Sequence, residues 1–280
     1  IDVFSGRAFV FAEACTLLLK ALKKPIVLTL HGGKLPDFSQ QNPGRVKRVL
    51  RTAAVVVTPS PFIQSALSHF RADIRLIPNP IDLSAAIFRL REEPAPKLIW
   101  VRSFHALYNP SLVPKVIKIL EAEFPGLQCW MLGPDKGDGS LNRMQATAQQ
   151  LGVDSKINVV GAVPHTEVPM WLDRADIFIN TTNYDTAPRS LLEAMANGLC
   201  LVSTNVGGVP FLVDDGLSGL LIPPKDPEGM AQAIQRILSE PGLARKLSKN
   251  AREKAEMNDW SSILPQWEAV FDTLRLKNNG

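Results

Sequence analysis

Short aliphatic and β-branched runs alternate with helix-length amphipathic stretches along almost the whole chain, and this alternation narrows the choice of fold further than any other feature. In the first part, strands are predicted at 1–4, 25–30, 53–58 and 74–77, with helices over 12–22 and 62–70. In the second, strands are predicted at 97–101, 128–132, 157–160, 177–180 and 199–204. Helices are predicted over 111–124, 168–172, 190–196, 230–238, 244–255 and 265–276. In the last of these, Trp267, Val270, Phe271 and Leu274 recur at i, i+3, i+4 and i+7. Strand–helix alternation of this kind gives parallel sheets of the doubly wound α/β class. No internal repeat or low-complexity tract interrupts it.

The alternation breaks once. Pro78-Asn79-Pro80-Ile81-Asp82 is rich in turn residues, and Glu92-Glu93-Pro94-Ala95-Pro96 is polar and proline-rich, as linkers between domains are. Two α/β domains are therefore expected, over 1–95 and from 96 onward, with a cleft between them. Ligands of open α/β sheets bind beyond the carboxyl ends of the strands. The loops after the strands of the second half are where chemistry is expected.

With 280 residues, 45% hydrophobic and 21% charged, the chain has material for two ordinary domains, each with a core. Ile1-Asp2-Val3-Phe4 already reads as a strand, so a further portion of the first domain is expected to precede it. The polar Lys277-Asn278-Asn279-Gly280 tail reads as a finished end. No run approaches the ~18 apolar residues of a membrane span, and no secretory leader is visible. Cys15, Cys129 and Cys200 are too scattered for a disulfide framework or a metal site; they fit buried thiols in a reducing cytoplasm.

Charge is uneven: residues 1–97 carry 14 Lys/Arg against 7 Asp/Glu, and the remainder 17 against 20. The cluster Arg45, Lys47, Arg48 and Arg51 reads either as a solvated helix face or as a site for phosphates or an anionic membrane surface. Nucleic acid is not an expected partner, because no binding motif or aromatic interleaving accompanies the charge.

The most informative stretch runs from Asn183 to Ala196, which reads as strand end, loop, then a helix opening near Pro188, a residue suited to a first helical turn. A helix N-terminus offers unsatisfied N–H groups and partial positive charge, a ready site for a phosphate. Arg189 and Ser190 stand in that first turn. Asp185 before the helix and Glu193 within it are carboxylates able to accept hydrogen bonds from sugar hydroxyls.

Asp185 and Glu193, with seven residues between them, resemble the paired-carboxylate motif of the family 4 retaining glycosyltransferases, where the first position is normally Glu. The stretches 198–210 and 215–227 are similar to that family as well, and Val160-Gly161-Ala162-Val163-Pro164-His165 resembles its segment near the nucleotide base. Pro78-Asn79-Pro80-Ile81-Asp82 resembles the stretch that closes the family's first domain, with Pro80 in place of Gly. The resemblance implies a GT-B architecture: two Rossmann-like domains, an incomplete acceptor-side one over 1–95 and a donor-binding one over 96–258. The helix in 259–280 is then expected to cross back onto the first. It implies that Glu193 binds the donor ribose, Asp185 the hydroxyls of the transferred sugar, and backbone amides of about Ala187, Pro188 and Arg189 the diphosphate, with Thr186, Ser190 and Asn109 also donor-binding. Gly161, Ala162 and Val163 would line the base pocket, and His31, Gly32 and Gly33 would face the acceptor. For His31 and His105 a structural role is weighed beside one in the cleft.

The family usually carries an Arg and, five positions on, a Lys after the first strand of the second domain, both aimed at the diphosphate. Here Arg102 is present, but Asn109 sits about where the Lys is expected. Loss of one cation there costs about 2–4 kcal/mol, by analogy with removal of an oxyanion donor. Either Arg189 or another basic group compensates, or phosphate binding differs in this subfamily. No Asp-x-Asp signature is present, so the implied scheme needs no metal and no cofactor: cations and a helix end neutralise the leaving diphosphate. The resemblance implies transfer from a UDP- or GDP-sugar to a hydroxyl acceptor, with retention. The acceptor would be a glycolipid or polysaccharide intermediate and the enzyme cytoplasmic, peripheral to the membrane's inner face. A non-catalytic nucleotide-sugar-binding descendant and a nucleotide-sugar epimerase of the same fold are the alternatives.

Overall fold

The β-branched runs pair into two wholly parallel sheets, as runs buried on both faces do. The computed structural model describes residues 1–278, so the Asn279–Gly280 end of the polar tail lies outside the described residues. The chain divides into one unit comprising Ile1–Pro80, Asp185–Ala187 and the residues from Asn258, and a second comprising Ile81–Tyr184 and Pro188–Met257.

In the first unit the strands lie in sequence order: β1 (Asp2–Val3), β2 (Val27–Leu30), β3 (Val55–Thr58) and β4 (Arg75–Leu76). Helices α1 (Phe9–Ala21), α2 (Leu35–Gln41), α3 (Pro43–Thr52) and α4 (Pro61–Leu67) connect them. Successive strand residues point to opposite faces. Val56 therefore packs with Phe9, Val49 and Ile63, while Val55 and Val57 pack with Ile263 and Val270 of the last helix, Trp260–Asn278. That helix begins five residues before Pro265, because the Asp259 carboxylate accepts from Ser261 N at 3.0 Å and starts it there. Pro265 then stands inside the helix, where its missing N–H leaves one carbonyl without its helical donor.

Helices α2 and α3 lie in a stretch left unassigned by periodicity, since α2 is short and basic residues dominate α3. Val46, Val49 and Leu50 nonetheless form a buried stripe on α3, with Lys47, Arg48 and Arg51 exposed on its other side. The Arg45 guanidinium turns to Glu13 of α1, with Nε to Oε1 at 2.8 Å, and holds that carboxyl below its usual range.

The second unit contains β5 (Lys97–Val101), α5 (Leu112–Leu120), β6 (Gln128–Leu132), α6 (Ser140–Leu151), β7 (Ile157–Gly161), α7 (Val168–Asp173) and β8 (Ile177–Asn180). It continues through α8 (Arg189–Ala196), β9 (Cys200–Thr204), α9 (Val209–Leu212), β10 (Leu220–Ile222), α10 (Pro227–Ser239) and α11 (Leu243–Glu256). The sheet order is β10-β9-β8-β5-β6-β7, the Rossmann arrangement, in which winding reverses between β5 and β8. Leu98 and Trp100 face α5 and α10, whereas Ile99 and Phe178 face α8 and α11, all fully buried. Each such side chain contributes about 1.5–3 kcal/mol of burial. Helix α6 and strand β10 also went unpredicted: α6 is mostly polar with little apolar stripe, and β10 is three residues long.

Arg91 anchors the segment before β5. Its side chain is fully buried, donating from Nη2 to Ala175 O at 2.9 Å and from Nη1 to Asn197 O. Burial pulls its pKa down to about 10, with the nearby Arg89 cation adding to the effect and Asp176 opposing it. It stays a cation at neutral pH.

Gly133 sets how closely the strand ends approach. It follows β6 at φ +138°, and a Cβ there would sit 1.8 Å from the Arg102 carbonyl oxygen. Its N–H donates to Gly161 O at 2.7 Å, and the Arg102 N–H donates to Leu132 O at 2.9 Å. Only a residue without a side chain fits between β5 and β7 here. Gly133→Ala is expected to cost about 2–4 kcal/mol in urea denaturation, combining backbone strain with overpacking. Gly152→Ala, at φ +71° with open space around it, should cost about 1–2 kcal/mol. A loss at Gly133 no larger than at Gly152 would contradict the close approach.

Candidate functional site

At the point where the sheet reverses, the loops after β5 and β8 part and leave a crevice at the carboxyl edge. A cavity of about 270 Å³ lies on the β5–β6–β7 side of this point, walled on its apolar side by Leu132, Pro134, Ala162, Val163 and Val168. Arg102, Tyr108, His165 and Ser190 give it polar groups. An apolar wall with a few convergent polar groups is the usual form of a small-molecule site.

Arg102 is the first residue past β5. Its guanidinium carbon lies 4.8 Å from the centre of the Tyr108 ring, and Nε and Nη2 are screened from solvent. Burial pulls its pKa down to about 10, against the opposing pull of Tyr108 and Glu193, so the group remains a cation at neutral pH. The Tyr108 loop is tied to the core. Trp100 Nε1 donates to Thr181 Oγ1 at 2.9 Å, and that hydroxyl donates to Tyr108 O at 2.6 Å. A fully buried core indole thus fixes the aromatic platform on which the cation rests.

Helix α8 opens after Pro188, which is extended and provides no side-chain cap. Its first-turn N–H groups therefore receive no acceptor from the N-cap side chain, which commonly supplies one. Ser190 Oγ is shielded from solvent and has no hydrogen-bond partner among the described residues. One turn on, the Glu193 side chain is 17% exposed, and its Oε1 lies 2.9 Å from His165 Nε2. A cation and the start of a helix thereby line one cavity, and a carboxylate adjoins it through His165. Together they can hold an anion at one end and hydroxyls at the other.

The other expected residues fall as follows. Gly161 ends β7 at φ +81° and accepts the Gly133 N–H, and Ala162 and Val163 form part of the apolar wall. Arg189 is exposed on α8 and does not line the cavity. Asn109 does not line it either: at φ +48° it makes the left-handed turn between the 106–108 turn and α5, and its carbonyl accepts the Leu112 N–H. Asn tolerates that conformation better than most residues. His105 Nδ1 accepts from Leu107 N at 3.1 Å, while its Nε2 lies 3.8 Å from Asp138.

Asp185, Thr186 and Ala187 group with the first unit. There Ser60 Oγ donates to Thr186 O at 3.1 Å and Asn79 Nδ2 to Ala187 O at 3.1 Å; Asp185 Oδ1 accepts from Thr186 N at 2.8 Å. Also in the first unit, His31 stacks on Phe4 and its Nε2 lies 3.3 Å from Asp2; Gly32 and Gly33 lead into α2, with Gly32 at φ +87°. Tyr108, Gly133 and His165 are among the cavity residues to which the sequence alone assigned no role. The available signals were an aromatic six positions past Arg102, a glycine directly after a strand, and a histidine four positions past the base-segment glycine.

Comparison with known proteins follows the same division. The profile of the glycosyl transferases group 1 family matches residues 86–254, and that of Glycosyltransferase Family 4 matches residues 1–85. A Mycobacterium tuberculosis glycogen synthase is 33% identical over 286 residues, covering 96% of this chain and 68% of that protein. A component of the Arabidopsis thaliana phosphatidylinositol N-acetylglucosaminyltransferase is 28% identical, covering 75% of this chain and 46% of its own. Among solved structures, Anabaena Alr3699/HepE in complex with UDP-glucose superposes with a TM-score of 0.82 at 19% identity, covering 94% of this chain and 76% of that one. Fold and sequence agree, and the chain belongs to the glycosyl transferases group 1 family, a glycosyltransferase of GT-B architecture.

Proposed function

We propose that this chain binds a nucleoside-diphosphate sugar in the second unit and transfers the sugar, with retention, to a hydroxyl acceptor. The observation that carries the reading is that Arg102, Ser190 at the start of α8 and His165 line one cavity at the reversal of the sheet, with Glu193 held against His165. The apolar wall suits a nucleobase, the partly buried Glu193 carboxylate suits ribose hydroxyls, and Arg102 with the first-turn N–H groups suits the diphosphate. UDP-glucose in the HepE structure supports the donor class.

The chemical demand is to stabilise charge that develops on the leaving diphosphate. Arg102 and the α8 N-terminus are already in place and partly shielded from water, so no reorganisation is needed as that charge forms. The scheme requires no divalent ion. Front-face departure leaves an oxocarbenium-like sugar, and the donor phosphate takes the proton of the attacking hydroxyl. Asp185 is assigned to the hydroxyls of the transferred sugar, and the His31-Gly32-Gly33 loop to the acceptor.

Slow hydrolysis of UDP-glucose and GDP-mannose, followed by proton NMR, tests the reading without a known acceptor. The sugar first released should be the α-anomer, without added metal, and Arg102→Ala should lower the rate at least about 100-fold. Release of the β-anomer first, or no release of nucleoside diphosphate from either donor, would sink the proposal.

A lipid-linked acceptor is the finer part of the reading. No helix among the described residues is long and apolar enough to cross a membrane. Helix α1 does expose Val10, Phe11, Leu17 and Leu18, with Lys20, Lys23 and Lys24 exposed at its end. Apolar side chains flanked by lysines suit the surface of an anionic bilayer. The chain should therefore sediment with vesicles containing phosphatidylglycerol and not with phosphatidylcholine alone. Lys20→Glu combined with Lys23→Glu and Lys24→Glu should abolish that binding; equal sedimentation of both proteins would refute it.

A further inference from the structure

We infer that His165 is a positioning residue that aligns the Glu193 carboxylate for ribose and so sets the preference for ribonucleotide over deoxyribonucleotide donors. The inference rests on the proposed donor reading of Glu193. An ionised carboxylate has only acceptors, so the contact of 2.9 Å between Glu193 Oε1 and His165 Nε2 requires the proton on Nε2. His165 thereby occupies one oxygen of Glu193 and fixes the plane of the carboxylate. The second oxygen and the remaining lone pairs stay available for a diol.

The backbone aims the ring. Strand β7 ends at Gly161, Pro164 holds φ −55°, and His165 begins a short 3-10 turn closed by the Glu167 N–H donating to Pro164 O at 2.9 Å. His165 is itself 72% exposed, whereas its partner is only 17% exposed. A pair between two exposed groups contributes little. Here one member is shielded, and the other lines the cavity. Without the imidazole, the Glu193 side chain regains rotamers that ribose binding must then order again.

The test compares UDP and GDP with their 2′-deoxy counterparts, and with pyrophosphate, by calorimetry. The proteins are the parent, His165→Ala, His165→Gln and Glu193→Ala. The parent should prefer the ribonucleotide by about tenfold, the size of one hydrogen bond to a charged group. Both Ala variants should lose most of that preference with no fall in pyrophosphate affinity, and His165→Gln, which retains an N–H donor, should recover part of it. Full preference in His165→Ala together with its loss in Glu193→Ala would overturn the role of His165 and leave the donor reading standing. No preference in the parent, or full preference in Glu193→Ala, would overturn both.

Discussion

The parallel pairing of β5 with β8 is the constraint on which the rest of the second unit depends. Leu98 lies opposite Ile177 and Ile99 opposite Phe178, and from this seam the remaining strands add outward in opposite directions. Loops leaving the two central strands must diverge, so a crevice at their carboxyl ends is a consequence of topology. Arg102 leaves one side of the seam, and the chain leading to α8 leaves the other. What the sequence adds is fixation. Trp100, buried in the sheet, donates to Thr181, Thr181 donates to the Tyr108 carbonyl, and the Tyr108 ring carries the Arg102 guanidinium. The position of the cation is thus inherited from the largest fully buried side chain of the core.

Electrostatics at this site rest on few groups. Asn109 stands near the position expected to hold a lysine, and the structure gives it a conformational task in place of a charge. Arg189 does not line the cavity. In the proposed scheme the diphosphate falls to Arg102 and the α8 N-terminus. Partial shielding strengthens both, since charges attract more strongly where water is excluded. The same burial pulls the Arg102 pKa down, but only to about 10, so its charge survives at neutral pH.

Much of the fold was legible because long apolar runs leave little choice. The strands at 97–101, 128–132 and 177–180 coincide with β5, β6 and β8. Elements with weak apolar signal were not legible: α6 is polar over most of its length, and β10 needs the neighbouring β9 to be recognised as a strand. Proline was read too literally at residue 265, where Asp259 starts the helix a full turn earlier. At the site, Arg102, Ser190 and Glu193 were picked out through the resemblance of their segments to the family's motifs. Gly133, Tyr108 and His165 act through contacts between segments distant in sequence: Gly133 with Arg102 and Gly161, Tyr108 with Arg102, and His165 with Glu193. No local pattern encodes such contacts.

The most direct measurement is a metal-free crystal structure of this chain with UDP or GDP, whichever binds. A diphosphate site built from Arg102 and α8 requires the diphosphate within hydrogen-bonding distance of that guanidinium and of the first-turn N–H groups. The ribose hydroxyls should then lie on Glu193 and the base against Ala162 and Val163. A nucleotide bound outside this cavity, or a diphosphate held only through an added divalent ion, would contradict that assignment.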